Sequence, residues 1–307
     1  MPSVEFTYRG LIAPVFTPFN SDSEQSLNLS IVPRYAEYLA QKGITGILVN
    51  GTTGEGTSLS LKERKLISEE WAKAVKKTKQ HLMIQVGGAP LPDVLELAKH
   101  AESLKVDSLL CLPELYFKPL KPESLVDYLK AVSDAAPKTP LLFYHIPMFT
   151  NVTLHMGNFL ETIGDQVPTF AGIKFTSNNL EEGYLALKAD NGRFAVFLGN
   201  DQLISAGCSI GMDSFISTTL SIFPEQILSI LNSWKSKDVE TARKIQHELS
   251  TAVGTIAKHG NWVETMKFAM NFVTPLNMGA PRLPLKVLSS ESQTTMKKDL
   301  EKLLKSA

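Results

Sequence analysis

The sequence predicts an α/β fold: a (β/α)8 TIM barrel with a C-terminal helical extension. Short apolar runs alternate with amphipathic helical segments at about 25–30 residues per unit, the rhythm of strand–helix repeats. Eight such runs occur before residue 235, and most are apolar on both faces, as parallel strands covered by helices are. Beyond residue 235 the runs stop and only helical patterns remain.

The units follow in order. Run 11–15 is the first, and Ile31, Tyr35, Tyr38 and Leu39 then recur at helical spacing, with Gly43 as the stop. Run 46–50 feeds the loop Gly51-Thr52-Thr53-Gly54-Glu55-Gly56, after which Ser60 and Glu63 form a capping box ahead of a helix over 61–75. Runs 82–86 and 108–112 precede Pro92 and Pro122, each in a first-turn position where the missing N–H costs nothing. The fifth to eighth runs are Leu141–His145, 171–175, Ala195–Leu198 and 214–217, and Pro224 opens the helix after the last. Helices over 239–258, 263–273 and from Ser292 make the extension. The expected organisation is one domain over 1–307, with the barrel in 8–235 and the helices of 236–307 packed on it. A doubly wound sheet is the other fold considered. It lacks a phosphate fingerprint here: the spacing of Gly51, Gly54 and Gly56 matches neither the dinucleotide pattern nor a P-loop.

Composition narrows the function. The 307 residues are 43% hydrophobic, enough for a large core, and formal net charge is zero, so no basic footprint for nucleic acid or an anionic membrane is present. Two cysteines, Cys111 and Cys208, are too few for a disulfide framework and fit a reducing, cytoplasmic setting. The N-terminal residues show no secretory pattern, and no apolar run reaches membrane-spanning length.

Chemistry is concentrated at the ends of the runs, where a barrel of this kind carries its active site. Lys174 sits between Ile173 and Phe175 in an otherwise apolar stretch. A buried lysine must be charged and paired, charged and unpaired, or neutral, and the neutral amine is a nucleophile able to form a Schiff base with a 2-oxo acid. The bland alternative is a lysine reaching solvent from a strand end. Tyr144 ends the fifth run and can relay protons, or be a core tyrosine with a satisfied hydroxyl. Its neighbour His145 is expected to pack. Thr52 and Thr53, flanked by glycines, suit a carboxylate, with an ordinary βα turn as the alternative and Glu55 as a brace of the loop. Asp201 and Gln202 follow the seventh run and Ser217 ends the eighth; such polar groups can hold sugar hydroxyls, although Asp201 could equally cap the next helix. Tyr116 lies over a site or in a subunit contact. The scattered histidines have no ligand-spaced partners, so no metal is expected.

Taken together, Gly51-Thr52-Thr53-Gly54-Glu55, Tyr144-His145-Ile146-Pro147 and Gly172-Ile173-Lys174-Phe175-Thr176 resemble the dihydrodipicolinate synthase/N-acetylneuraminate lyase family of class I, pyruvate-handling aldolases. The resemblance runs from Gly10 to Pro284, and the segment Met278-Gly279-Ala280-Pro281-Arg282-Leu283-Pro284 looks most like the animal lyases of that family. It implies that Lys174 is the Schiff-base lysine, Tyr144 the catalytic tyrosine, and Thr52 and Thr53 the holders of the pyruvyl carboxylate. It further implies that Thr176, Gly199, Asp201, Gln202 and Ser217 contact the sugar chain. Tyr116 resembles, with a one-residue shift, the tyrosine exchanged across a subunit contact. A homotetramer without a cofactor is implied as well. The implied reaction is the reversible cleavage of sialic acid to N-acetylmannosamine and pyruvate; the alternatives are an aldolase acting on another 2-oxo acid, such as 4-hydroxy-2-oxoglutarate, a synthase-like condensation, or a barrel that only binds such acids. Two positions depart from the family pattern. Phe149 stands where synthases carry an arginine for an extra carboxylate, which argues against that branch. Gln202 stands where sialate lyases usually carry glutamate, which leaves the preferred sugar open.

Overall fold

The computed structural model describes residues 4–306. Residues 1–3, part of the segment inspected for a leader, lie outside this range. Eight strands close into a barrel in sequence order, every neighbouring pair parallel. They are β1 (Leu11–Pro14), β2 (Gly46–Val49), β3 (His81–Gln85), β4 (Ser108–Cys111), β5 (Leu141–His145), β6 (Phe170–Phe175), β7 (Ala195–Leu198) and β8 (Phe215–Ile216). β1 closes the ring on β8 through Leu11 opposite Phe215 and Ile12 opposite Ile216. Each strand falls on one of the eight runs. β8 is two residues where four were expected, and β3 and β6 each begin one residue early.

Both faces of each strand are buried, which explains why the runs do not alternate in polarity. Ile12, Leu48, Met83, Leu110, Leu142, Tyr144, Phe197 and Ile216 fill the barrel interior, while Ala13, Ile47, Leu109, Phe143 and Ile173 face the surrounding helices. Below the interior, Tyr8 stacks on His81 with centroids 4.2 Å apart and donates to the Leu11 carbonyl at 2.7 Å. The N-terminal segment thus plugs the end opposite the strand C-termini.

The helices between strands are α1 (Val32–Gln41), α2 (Leu61–Thr78), α3 (Leu91–Ser103), α4 (Pro122–Ala135), α5 (Pro147–Thr150), α6 (Met156–Ile163), α7 (Leu180–Gly192) and α8 (Ile204–Ser209), with α9 (Pro224–Lys235) after β8. The capping box that begins α2 is complete: the Glu63 N–H donates to Ser60 Oγ, and the Ser60 N–H donates to Glu63 Oε2 at 3.0 Å. The extension holds α10 (Val239–Ala257), α11 (Trp262–Val273) and α12 (Ser290–Ser306). It reaches back to the strand ends. Gln246 of α10 donates to the Asp201 carbonyl at 3.1 Å, and Lys267 of α11 donates to Glu55 at 2.7 Å. Among the described residues, no helix is long and apolar enough to cross a membrane.

Candidate active site

β5 and β6 carry the two residues around which the site is built. Lys174 lies directly opposite Tyr144 in the ladder, on the inward face. The path of β6 is set one turn of the pleat earlier. At Gly172, φ is +156°, and a Cβ there would lie 2.1 Å from the Ala195 carbonyl oxygen, so a side chain would push β6 off β7. The pairing of β5 with β6 also shifts register between Leu141 and Leu142, which realigns the strand before it reaches Tyr144.

Lys174 is 4% exposed and Tyr144 is 2% exposed. The lysine Nζ lies 4.1 Å from the centroid of the Tyr144 ring. Beyond the ring, the Tyr144 hydroxyl shares a 3.1 Å hydrogen bond with Thr52 Oγ1. Amine, phenol and the loop after β2 are therefore in one chain of contacts, although they are far apart in sequence. Gly199, after β7, leaves room beside the lysine: a Cβ there would meet Thr176 Oγ1 at 2.0 Å and Lys174 Cε at 3.2 Å.

The 51–56 loop is closely packed. Gly54 and Gly56 allow backbone to approach backbone, and Glu55 between them adopts φ +54°. Thr53 Oγ1 bonds Thr218 Oγ1 at 2.9 Å, and Thr17 donates its hydroxyl to the Gly54 carbonyl at 2.6 Å. Glu55 is a brace, as expected from the sequence. Its carboxylate receives Lys267 Nζ on one oxygen and the Arg282 N–H, at 2.8 Å, on the other.

A cavity of about 230 Å³ opens above these groups. Thr52, Thr53, Tyr144, Lys174, Thr176, Gly199, Asp201 and Gln202 all line it. Thr176 Oγ1 is buried there without a hydrogen-bond partner. Ser217 is not among the lining residues; its hydroxyl is fully buried and unpartnered, and the adjacent Thr218 takes its place at the wall. Sequence reasoning passed over Thr218, Asn178, Met148 and Trp262, which also line the cavity. Phe149 is at the wall too, so the position that would carry an arginine in a synthase presents an aromatic ring.

Asp201 does not cap its own helix. Asn200 does that, its side chain accepting from the Gln202 N–H at 3.0 Å, while the Asp201 carboxylate accepts from the Thr219 N–H at 2.8 Å and the Thr219 hydroxyl at 2.6 Å. Burial pushes the Asp201 carboxyl above its ordinary range, opposed by those bonds and by the nearby Lys174. His145 packs: it stacks on Phe175 with centroids 5.4 Å apart, and desolvation pushes its pKa down to about 4. Tyr116 is not among the residues lining the cavity and is 83% exposed, beside the equally exposed Phe117. Among the described residues, no group of three or more His, Cys, Asp or Glu side chains could hold a metal ion.

A model of the dihydrodipicolinate synthetase family matches residues 7–303. The chain belongs to that family. Similar members include the N-acetylneuraminate lyases of Xenopus tropicalis, 34% identical over 278 residues and 90% of each chain, and of Homo sapiens, 32% identical over 297 residues, 96% of this chain and 92% of that one. Among solved structures, the N-acetylneuraminate lyase of Proteus mirabilis superposes with a TM-score of 0.91 at 29% identity, covering 96% of this chain and 98% of that one. The sialic acid aldolase of Aliivibrio salmonicida gives 0.91 at 31% identity, over 97% and 98% of the two chains. The family read from the sequence motifs and the barrel read from the alternation of runs and helices both stand.

Proposed function

We propose that this chain is a carbon–carbon lyase that reversibly cleaves open-chain N-acetylneuraminate to N-acetylmannosamine and pyruvate through a Schiff base on Lys174. The observation that carries the reading is the amine held 4.1 Å from the Tyr144 ring centroid on the adjacent strand, with Thr52 on the phenol oxygen. Similarity to N-acetylneuraminate lyases over nearly the whole chain supports the choice of substrate.

The free amine of Lys174 attacks the keto carbon, C2, and the carbinolamine loses water to give an iminium. The Tyr144 oxygen, as part of a proton relay, takes the proton of the C4 hydroxyl while the C3–C4 bond breaks. Its electron pair passes into the iminium, giving an enamine, and C4 leaves as the aldehyde of N-acetylmannosamine. Protonation at C3 and hydrolysis of the iminium release pyruvate and regenerate the amine. Thr52 and Thr53 anchor the carboxylate, and Thr176, Asp201 and Gln202 receive the sugar chain; Ser217, away from the wall, acts on that chain only through its neighbours.

A homotetramer in the cytoplasm completes the reading. Tyr116, Phe117 and Leu120, more than four-fifths exposed, offer a subunit contact, and the two cysteines are unpaired as a reducing setting requires. Sedimentation of the purified chain checks the assembly.

Borohydride with pyruvate should add one reduced pyruvyl group at Lys174, seen by mass spectrometry, and Lys174→Ala should abolish both labelling and pyruvate release while the fold persists. Unlabelled Lys174, under conditions that trap a known aldolase, would sink the reading. A second reading, an aldolase for another 2-oxo acid such as 4-hydroxy-2-oxoglutarate, is favoured by Gln202 in place of glutamate. The ratio of kcat/KM for the two substrates separates them.

A further inference from the structure

The chemistry above leaves a second buried lysine unused. Lys267 is fully buried, and its Nζ donates to Glu55 Oε1 at 2.7 Å, to the Thr17 carbonyl at 2.9 Å and to the Ala280 carbonyl at 3.3 Å. All three of its donors are used, and the ammonium also stands 4.1 Å from the Phe19 ring centroid. A buried ion pair gains little over apolar side chains of similar volume, so stability alone is a weak reason for one here.

What the pair touches supplies a better reason. Glu55 follows Thr52 and Thr53 by three and two positions, and its N–H donates back to the Thr52 carbonyl at 3.1 Å. Its other carboxylate oxygen accepts from the Arg282 N–H. Thr17, whose carbonyl receives Lys267, holds the Gly54 carbonyl through its hydroxyl. One ammonium therefore gathers three separate segments: the chain after β1, the chain after β2 and the stretch beyond α11. All of them meet behind the loop that presents Thr52 to Tyr144 and Thr53 to Thr218.

We propose that Glu55 and Lys267 are positioning residues for the carboxylate of the keto acid, fixing from behind the loop where the Thr52 and Thr53 hydroxyls point. The inference rests on the reading of those threonines as carboxylate anchors. A purely structural pair would lower stability without separating the two substrates of the condensation direction. A positioning pair separates them, because pyruvate meets this loop while the aldehyde meets the chain after β6 and β7.

The test uses the full-length chain and its double variant Glu55→Gln/Lys267→Met, which removes both charges together so that neither is stranded in the interior. Pyruvate is titrated in the borohydride trap, and the KM for N-acetylmannosamine is measured at saturating pyruvate. The half-saturating pyruvate concentration should rise about tenfold in the double variant, with labelling at saturation still complete and the aldehyde KM within about threefold of the parent. An unchanged half-saturation point in the folded double variant overturns the proposal, as does an aldehyde KM that rises by the same factor. Should the double variant fail to fold, Glu55→Gln alone carries the same readout, with a rise of about threefold expected and no rise refuting it. Failure of the parent chain to be labelled at all removes the Schiff-base reading itself, and that shows before any substitution is made.

Discussion

At Tyr144 the ring and the oxygen serve different partners, the ring beneath Lys174 Nζ and the oxygen against Thr52. Tyr144→Phe keeps the first and deletes the second. It should therefore lower kcat for pyruvate release by about 10²–10⁴, the usual worth of a positioned proton-transfer group, while Lys174 is still trapped by borohydride. A phenylalanine variant with near-parental kcat would remove the phenol from the mechanism. Both residues were legible because a lone cation or phenol in an apolar run is locally conspicuous. Ser217 illustrates the opposite case. Ile216 points inward at the end of β8, Ser217 is still extended and turns away, and Thr218, opening a 3-10 turn, comes back to the wall. The short polar cluster Ser217-Thr218-Thr219 does not reveal that parity. The ion pair of Lys267 with Glu55 was hidden for another reason: its partners are 212 residues apart and meet only after the barrel has closed.

Among the elements, β6 is the most exacting. Gly172 lies where any Cβ would collide with the backbone of β7, a contact that no flexible side chain can relieve. Gly172→Ala should cost about 2–4 kcal/mol in urea unfolding, combining backbone strain with overpacking. It should also depress kcat, because Lys174 is only two residues away. A variant as stable as the parent would show that β6 can shift freely. Strand positions were readable from run length, yet the ends were not: all of run 214–217 is buried, whereas only Phe215 and Ile216 join the ladder. Burial and hydrogen-bond pairing are different properties, and hydrophobicity reports the first. The start of α2 was legible to the residue because a capping box is a purely local device.

For the whole molecule, pH provides a test. Burial pushes His145 and His81 down from an ordinary 6.5 to about 4. In the unfolded chain both take up a proton near 6.5, and in the folded chain they do so only near 4. The unfolded state therefore binds more protons between these values, and stability is complete above 6.5 and falls as pH drops toward 4. The loss between pH 7 and pH 5 should be about 2–4 kcal/mol for the two together, with the raised Asp201 carboxyl working in the opposite direction at the acid end. Equal urea midpoints and slopes at the two pH values would contradict this. At this scale the alternation of runs and helices was enough to read the barrel, because each unit repeats the same period. The task of the extension was not readable, since its contacts with Asp201 and Glu55 are all long-range.

Tyr144 and Lys174 face each other across a continuous ladder of main-chain hydrogen bonds. Their spacing is thus inherited from the staves of the barrel and owes nothing to any mobile segment. The residues that would meet the sugar, by contrast, hang from the connections after β6 and β7, beyond the paired strands. A change of sugar should accordingly be graftable onto this scaffold by altering the rim alone, with Tyr144 and Lys174 inherited intact.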